Sequence, residues 1–575
     1  MKGGDTMSIT AVFSPFVERE EKKPLTLFDL FGVLAWPTTI VLMAVSILLG
    51  TVYFGRVSSL SPADDALIGL RPAEVFWQTG ILSFNPTEMV EANSSLLYTL
   101  LAVPGFAFLD RLDVIFYYLP ILNSVFALFT ALGLCRLCVV MGVSNIWARL
   151  TAVFWAIIPV TSFWAASAME TTLNTLLEVW FVVIIVAVSK GERVRTLSAL
   201  SAMTLFLLAT RPDGFIIPFC SVVFLVVSKG KGREGLGILV SLLVGFIVLM
   251  LWRFLYYGQP FPNPVYVKIA GSLGERLHAG WFNWERIFIP SGLWFVLLPL
   301  MVKFLFEAIQ VIVNVVVVVK NRRWENIFSH LNLAPWLACS MVVYWFLHAG
   351  DAYGERQLLT LFPLGIAEWV LFAHSCWQKN LKQGVAVLPV VAIVLFLPVT
   401  DFKSFYDFRG GDIPPQRIIE RDLNIVKALE SDYPGFQSIV ADKLGFIGYL
   451  VGPEVRVDDF LGLADTHIAH QPRKYAPNGG FVPAHCKYDL DYSLRVRKPD
   501  VVYMVIFEAT NMGHYFIKGL NRDRLEAEGY ELAYLSTWQG NRCVNVRGNE
   551  EKAQKLLSLR YYNIALFVKT TLKEG

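Results

Sequence analysis

Long apolar runs, separated by short polar connections, divide residues 31–402 into predicted membrane-spanning helices. Each run is roughly twenty residues long, the length that an α-helix needs to cross the hydrocarbon core of a bilayer. The predicted spans are 31–54, 114–134, 147–166, 172–189, 196–210, 214–228, 236–256, 290–318, 332–349, 357–376 and 384–400. The pattern predicts a mainly α, polytopic helical membrane protein with about eleven spans.

The segment 93–108 is apolar but shorter than these runs, and it contains Pro104. We predict that it forms a helix lying at the membrane edge. The alternative is a further span, which would invert the orientation of every later segment.

Basic residues cluster in alternate connections between the predicted spans. The clusters are Arg136 with Arg149, 190–195, 229–233, 320–323, and Lys379 with Lys382. The positive-inside rule assigns such connections to the cytoplasm. Residues 1–30 are then a cytoplasmic tail, and the first external loop, 56–113, faces the other side of the membrane.

Residues 403–575 have a different pattern, with charges throughout and short β-branched runs between amphipathic stretches. Ser438–Ala441 and 501–506 have the pattern of buried strands, and 417–430 and 522–529 have that of helices. This pattern predicts an α/β domain. An odd number of spans places the domain on the extracytoplasmic side.

The composition agrees with a membrane protein. Of 575 residues, 55% are hydrophobic and 17% are charged, whereas about a quarter of a soluble domain is charged. The net charge of +3 is small, and no nucleic-acid partner is expected. The sequence contains no Walker loop, dinucleotide fingerprint or GxSxG elbow, so a nucleotide sugar is not indicated as substrate.

Two adjacent carboxylates, Asp64 and Asp65, open an amphipathic segment of the first external loop. A carboxylate beside a membrane span needs a water-filled cavity or a cationic partner, because its desolvation is costly. Repulsion between neighbouring carboxylates raises the pKa of one of them, which suits a general base near neutral pH. The alternative is structural, because aspartate is a favoured N-cap residue.

Short fragments in a shared order carry a resemblance to a known family. They are Asp64-Asp65-Ala66, Arg71, Phe84-Asn85-Pro86, Val90-Glu91, Ser94-Ser95-Leu96, Ser167-Ala168-Met169-Glu170-Thr171, Arg211-Pro212-Asp213-Gly214, Tyr256-Tyr257-Gly258 with Pro262-Asn263, Tyr266 and Lys268, Gly350-Asp351 with Arg356, and Gly462-Leu463-Ala464-Asp465 with His467-Ile468-Ala469. Over residues 30–500 the chain resembles the glycosyltransferase C superfamily. Within that superfamily it is most similar to the group of terminal arabinofuranosyltransferases.

The resemblance implies an inverting enzyme that transfers a sugar from a polyprenyl-phosphate donor to an envelope glycan or a glycolipid. The sugar would be arabinofuranose or another pentose or hexose. The enzyme would be a multi-pass protein of the inner or plasma membrane, embedded in the lipid bilayer, with its active site outside. The resemblance also implies that Asp64 is the catalytic base, while Asp65 orients the acceptor or a divalent cation at the acid pair.

Cationic side chains on the predicted outer face suit the phosphate of the donor. The candidates are Arg356, Lys268, Arg211 and Arg71. The matching fragments imply substrate-binding roles for Asn85, Glu91, Glu170, Asn263, Tyr266, Asp351 and His467. The structural alternatives are an interfacial cation at position 356, a tight turn at 211–214 and a helix-end carboxylate at position 170. The histidine spacing in the tail is too weak a pattern to predict a metal site.

Two other functions are compatible with the sequence. A transporter or flippase of lipid-linked glycans is typically built from internal repeats and broken helices, and the sequence shows neither. A non-catalytic membrane component that displays the C-terminal domain would not need clustered acids and cations at the membrane edge.

Overall fold

The computed structural model of the protein describes residues 27–57, 62–191, 196–291, 294–321, 328, 331–350, 356–378, 415–477, 479–508, 512–537, 543–559 and 562–572. The predicted span 384–400 and the candidate Asp351 lie outside these residues.

The first part of the chain is helical. In chain order its helices are α1 Leu27–Val57, α2 Asp64–Thr79, α3 Leu96–Ala102, α4 Arg111–Val140, α5 Asn145–Ile157, α6 Pro159–Ala166, α7 Thr171–Ser189, α8 Thr196–Thr210, α9 Pro212–Ser228, α10 Gly232–Tyr257, α11 Asn263–Lys268, α12 Leu273–Ser291, α13 Trp294–Asn321, α14 Leu333–Leu347 and α15 Leu361–Gln378. These helices coincide with the apolar runs, so the mainly α, membrane class predicted from the pattern is confirmed for the described residues.

Five of the described helices are long and apolar enough to cross a membrane, namely α1, α4, α7, α10 and α13. The pair α5 and α6 makes a sixth candidate span that is bent by 50°. The bend falls at Pro159, because proline restricts the preceding residue to an extended conformation and cannot continue a helix. The helices α8, α9 and α14 are apolar but shorter. The number of about eleven spans stays a prediction.

The C-terminal part carries a mixed sheet. Its elements are α16 Pro415–Asp432, β1 Ser438–Ala441, α17 Leu444–Leu450, β2 Arg456–Asp459, α18 Thr466–Ala469, β3 Val501–Glu508, β4 Gly513–His514, α19 Arg522–Ala527, β5 Tyr530–Thr537, β6 Cys543–Asn545, α20 Glu550–Ser558 and β7 Tyr562–Lys569. The strand order is β2-β1-β3-β7-β5-β6, with β4 on the edge of β3. The strand β1 is parallel to β2 and β3, and the other neighbouring pairs are antiparallel. Both strands predicted from the sequence are present.

The first external loop and the C-terminal part share one hydrophobic core. Leu67 and Phe84 of the loop belong to the same buried cluster as Ile447 and Tyr449 of α17 and Val457 of β2. Removing these side chains from water holds the sheet against α2. The loop therefore forms the junction between the helical region and the sheet.

A buried arginine fastens this junction. The side chain of Arg71 donates from Nε to the carbonyl of Phe84 at 2.8 Å, and from Nη1 and Nη2 to the carbonyls of Gly452 and Val455, each at 2.8 Å. Its Nη2 also donates to Asn85 Oδ1 at 3.2 Å, and the amide of Asn85 exchanges two hydrogen bonds with the backbone of Val457. Arg71 and Asn85 thus hold the loop to the start of β2.

Candidate active site

A cavity of about 1740 Å³ lies between the helical region and the C-terminal sheet. It is lined by residues of α2, of α8 to α12, of the segment around Arg356 and of the strand ends of the sheet. Six residues predicted for the site line it, namely Asp64, Asp65, Glu170, Arg211, Lys268 and Arg356. Folding thus brings Asp65 and Arg356, which lie 291 positions apart in the chain, to the same cavity.

The acid pair lies in the first turn of α2, where the helix dipole favours negative charge. The N-cap residue is Ala63, and it makes no side-chain capping bond, so neither aspartate has the capping role considered as the structural alternative. The two carboxylates face different partners. Asp64 Oδ1 accepts from the backbone N–H of Phe446 at 2.9 Å, and Asp65 Oδ2 lies 3.2 Å from Nη1 of Arg356.

The surroundings of Asp64 favour its protonated form. Burial raises the pKa of the Asp64 carboxyl above its ordinary value, and the charge of Lys443 and the N–H of Phe446 oppose this rise. The neighbouring Asp65 adds to the rise, but less than burial does. This environment therefore agrees in direction with the sequence prediction of a raised pKa, although burial rather than like charge is the main cause.

The arginines of the cavity are paired with acids from distant segments. Arg211 contacts Glu170 at 2.9 Å and Asp213 at 2.8 Å, so the turn 211–214 and the start of α7 are joined at the cavity wall. Arg253 of α10 makes two hydrogen bonds to Glu91, at 2.8 and 3.1 Å. Arg211 therefore belongs to the tight turn at 211–214, which was the structural alternative, and it also lines the cavity.

Several predicted site residues do not line the cavity. Arg71 and Asn85 belong to the junction between loop and sheet, and Glu91 is the partner of Arg253. Asn263 is buried, and its backbone N–H donates to the carbonyl of Glu91 at 3.1 Å. These contacts position the walls of the cavity.

Two aromatic candidates lie where α11 meets α18. The ring of Tyr266 packs on His470 at a centroid distance of 4.4 Å. The ring of His467 stacks on Tyr492 at 4.0 Å, and its Nε2 lies 3.1 Å from Asp489. The contact of Tyr266 with His470 joins the C-terminal part to the helices, whereas the contacts of His467 lie within the C-terminal part.

The charged residues of the cavity that were not predicted from the sequence include Arg253, Asp442, Lys443 and Asp459. Arg253 lies inside an apolar run, while Asp442, Lys443 and Asp459 lie at the carboxyl ends of β1 and β2. Polar residues directly after buried parallel strands are a recognisable signal for a binding site. For Asp442 that signal was available, because the strand 438–441 was predicted. Nothing in the local pattern marked Arg253.

One wall of the cavity is apolar. It is formed by side chains of α8, α9, α10 and α11, namely Leu208, Phe215, Phe246, Leu249, Met250 and Ile269. Because α10 is also one of the candidate spans, this wall continues from the cavity into the apolar surface of the helical region. The cavity therefore offers both ion-paired polar groups and a surface suited to a hydrocarbon chain.

A divalent cation at the acid pair is not supported by the donor set. Within the described ranges, no group of three or more His, Cys, Asp or Glu side chains is arranged to hold a metal ion. Asp65 instead faces the guanidinium of Arg356, and Asp64 takes a backbone N–H. The described residues do not fit such an ion, and no step below uses one.

Comparisons with known proteins give a family match for the C-terminal part only. Residues 416–556 match the model of a domain of unknown function (DUF8728). No curated protein matches the chain.

Solved structures of membrane glycosyltransferases match nearly the whole chain. The oligosaccharyltransferase of Archaeoglobus fulgidus in complex with Zn and sulfate is 12% identical, with 88% of this chain and 72% of that chain covered and a TM-score of 0.48. The same organism's oligosaccharyltransferase AglB, in complex with an inhibitory peptide and a dolichol-phosphate, is 10% identical, with 91% and 75% covered and a TM-score of 0.49. The arabinofuranosyltransferase AftD from Mycobacteria is 13% identical, with 92% and 39% covered and a TM-score of 0.42.

Glycosyltransferases of this kind are the class of protein that the sequence fragments resemble. With TM-scores below 0.5, these matches carry no argument about the activity of this chain. Its function is argued below from its own site.

Proposed function

We propose that this protein is an integral-membrane, inverting glycosyltransferase. It transfers a sugar from a polyprenyl-phosphate donor to a hydroxyl group of a glycan or glycolipid. The observation that carries the proposal is the contact of 3.2 Å between Asp65 and Arg356 in a cavity with one apolar wall. Acid, cation and hydrocarbon surface are the three features that this reaction requires.

The donor phosphate fits the cationic side of the cavity. Arg356 and Lys268 line it together with the apolar residues of α10 and α11. A guanidinium binds phosphate oxygens through two parallel hydrogen bonds, and a cation stabilises the charge that develops on the leaving group. The ion pair with Asp65 orients Arg356, so that the phosphate meets a guanidinium that is already in position. The prenyl chain then lies along the apolar wall.

The acceptor hydroxyl fits Asp64. In a single displacement, the acceptor oxygen bonds to the anomeric carbon while the bond from that carbon to the phosphate oxygen breaks. The electron pair leaves with the polyprenyl phosphate, and the acceptor proton passes to the Asp64 carboxylate. Attack from the face opposite to the leaving group inverts the anomeric configuration. A raised pKa brings the basicity of this carboxylate closer to that of a base working near neutral pH.

The experiment is transfer of radiolabelled sugar from purified polyprenyl-phosphate donors by the full-length protein in lipid nanodiscs. Asp64→Asn keeps the size of the side chain and an oxygen for the N–H of Phe446, but it cannot accept the proton. We expect transfer to fall by about 100-fold or more, with donor affinity unchanged. Asp65→Asn should instead weaken donor binding, because it releases Arg356.

The matched control is Asp110→Asn. Asp110 is an exposed aspartate of the same loop that does not line the cavity, and its substitution should leave transfer unchanged. Near-normal transfer by Asp64→Asn would contradict the assignment of the base. Wild-type protein that translocates a lipid-linked glycan without transferring sugar would replace the proposed enzyme with a transporter.

A further inference from the structure

The end of the cavity that faces the C-terminal sheet contains polar groups that the proposed transfer does not use. Asp442 and Asp459 end or follow the adjacent parallel strands β1 and β2. Residues at the carboxyl ends of parallel strands meet at one edge of the sheet, which is where ligands bind in open α/β sheets. The carboxylate of Asp459 accepts hydrogen bonds from the backbone N–H groups of Leu461 and Ala464, at 2.7 and 2.9 Å. Asp442 does not.

One oxygen of Asp442 has no partner. The side chain is only 4% exposed, and its Oδ2 accepts from Nε2 of His514 at 2.7 Å and from the N–H of Val505 at 3.2 Å. Its Oδ1 is buried and accepts no hydrogen bond from any described residue. A buried carboxylate oxygen without a donor costs free energy, which a ligand hydroxyl at the cavity wall would offset.

His514 holds this carboxylate in the ionised form. Its Nδ1 accepts from the N–H groups of Phe516 and Ile517, at 3.0 and 2.9 Å, so the ring proton is on Nε2 and is donated to Asp442. Burial by itself would raise the pKa of Asp442, but His514, the N–H of Val505 and the nearby Lys443 together outweigh it and leave that pKa below its ordinary value. Asp442 is therefore an acceptor of hydrogen bonds at neutral pH.

A second unpartnered oxygen belongs to another residue of the same cavity. Asn563, at the start of β7, lines the cavity, and its Oδ1 is buried without a hydrogen-bond partner in the described part of the chain. The pairing of Ile564 with Val505 places this residue on the strand next to the one that contacts Asp442. Two unpartnered acceptor oxygens in one cavity favour a ligand with several hydrogen-bond donors.

Aromatic rings complete this end of the cavity. Tyr515, the residue after His514, is 49% exposed and lines the cavity. The neighbouring Phe516 packs on His485 at 4.2 Å, and Tyr475, 42% exposed, lines the cavity from the same loop as His485. Exposed rings beside polar acceptors are suited to the apolar faces of a sugar ring.

The charges at this end favour a neutral ligand. Arg211, Arg253, Lys268 and Arg356 line the cavity from the helical side. Lys443, at the sheet side, lies close enough to Asp64 to lower that carboxyl's pKa. The Asp442 carboxylate, whose pKa is lowered by His514 and Lys443, would repel an acidic ligand and accept a hydrogen bond from a neutral hydroxyl.

We propose that Asp442, Asn563, Tyr475 and Tyr515 form a strand-edge surface that binds the neutral saccharide chain of the acceptor. The inference rests on the proposed function, since it assigns the acceptor to the sheet side of the same cavity and the donor to the helical side. Acceptor hydroxyls donate to Asp442 Oδ1 and Asn563 Oδ1, and the tyrosines stack on the sugar rings.

The test measures binding of three probes to the full-length protein in nanodiscs: neutral pentose and hexose trisaccharides, a uronic acid trisaccharide, and polyprenyl phosphate. We expect the wild type to bind a neutral trisaccharide and to prefer it to the acidic one. Tyr515→Ala and Asp442→Asn should each raise the dissociation constant for that trisaccharide by about tenfold. Both variants should bind polyprenyl phosphate normally. The matched control is Tyr117→Ala, an exposed tyrosine of α4 that does not line the cavity.

The outcomes separate the two proposals. If the wild type binds no neutral trisaccharide, prefers the acidic one, or binds the neutral one equally well after Tyr515→Ala, the strand-edge surface is overturned. If polyprenyl phosphate does not bind but the neutral trisaccharide does and depends on Tyr515, the proposed transferase fails and the saccharide surface stands. Tyr515→Ala decides the question even if Asp442→Asn does not fold, because Tyr515 is exposed.

Discussion

At the scale of single residues, the cavity is organised by ion pairs between distant segments. Arg356 pairs with Asp65, Arg211 with Glu170 and Asp213. Removing one partner of a buried pair strands the other, which costs more than the pair itself contributes. A phosphate can bind such an arginine because it offers the guanidinium further oxygens while the carboxylate keeps its orientation.

This arrangement predicts the effect of substitutions at position 356. Arg356→Ala should weaken polyprenyl-phosphate binding by roughly a few kcal/mol, as expected when a charged partner is lost. Arg356→Lys should restore only part of the affinity, because the two parallel hydrogen bonds of the guanidinium are lost. Titration of labelled polyprenyl phosphate into nanodiscs measures both, with the exposed Arg495→Ala as control. Unaltered affinity in Arg356→Ala would remove this residue from the donor site.

The protonation of Asp64 predicts a pH dependence. Transfer requires the carboxylate, so kcat/KM should fall as the pH falls through its pKa, which burial places above the ordinary value of about 4. Lys443 lowers this pKa. Lys443→Gln should therefore shift the acidic limb of the profile to higher pH, while Lys427→Gln, an exposed lysine of α16, should not. An acidic limb that stays in place in Lys443→Gln would mean that another group titrates.

The raised pKa of Asp64 also predicts how the stability of the folded protein depends on pH. Because the pKa is raised by folding, the folded protein holds the Asp64 proton to a higher pH than the unfolded chain does. Stability is then lost as the pH rises from the unfolded to the folded pKa. Asp64→Asn removes this loss, so the variant used to test the base should be at least as stable as the wild type at neutral pH. Loss of activity can therefore be separated from unfolding by its melting temperature.

At the scale of elements, the approach of α17 to α2 sets the position of the acid pair. The first turn of α17 lies against Asp64, whose Oδ1 accepts from the N–H of Phe446. A Cβ added at Gly445 would overlap the carbonyl oxygen of Asp64. Only glycine allows the two helices to come this close.

This contact predicts that Gly445→Ala lowers transfer by displacing Asp64, without removing a charged group. The effect should appear mainly in kcat, with polyprenyl-phosphate affinity near that of the wild type, because Arg356 and α10 are not moved. Gly435→Ala is the matched control, since a Cβ there meets no atom within 4 Å. Full activity in Gly445→Ala would show that the position of α17 does not govern the base.

At the scale of the whole molecule, the cavity lies where the helices meet the sheet. The opening of the cavity and the sheet must therefore be on the same side of the membrane. The basic clusters in alternate connections predict that this is the extracytoplasmic side. Single cysteines at positions 58 and 435 should react with a membrane-impermeant reagent in intact cells, and one at position 191 should react only after permeabilisation. The opposite pattern would invert the orientation and place the acid pair in the cytoplasm.

The sequence by itself determined the class of the protein and the place of the acid pair. Apolar runs long enough to span a bilayer are a local property, because every residue of a helix satisfies its backbone hydrogen bonds within the helix. The strands 438–441 and 501–506 could also be predicted, because their β-branched composition is local, although their hydrogen-bond partners are not. The acid pair was also visible, since two adjacent carboxylates beside an apolar run are rare and costly.

Only the tertiary structure decided which polar residues meet. Arg71 and Arg356 have equal chemistry in the sequence, yet Arg71 is 1% exposed against backbone carbonyls of the sheet, while Arg356 reaches Asp65 in the cavity. Asp442 and Asn563 likewise come to line one cavity only through the strand order β1-β3-β7. The residue type alone determines the charge of a side chain, but the partner of that charge depends on contacts between residues far apart in the chain. In a medium of low dielectric constant, that partner determines what the charge can do.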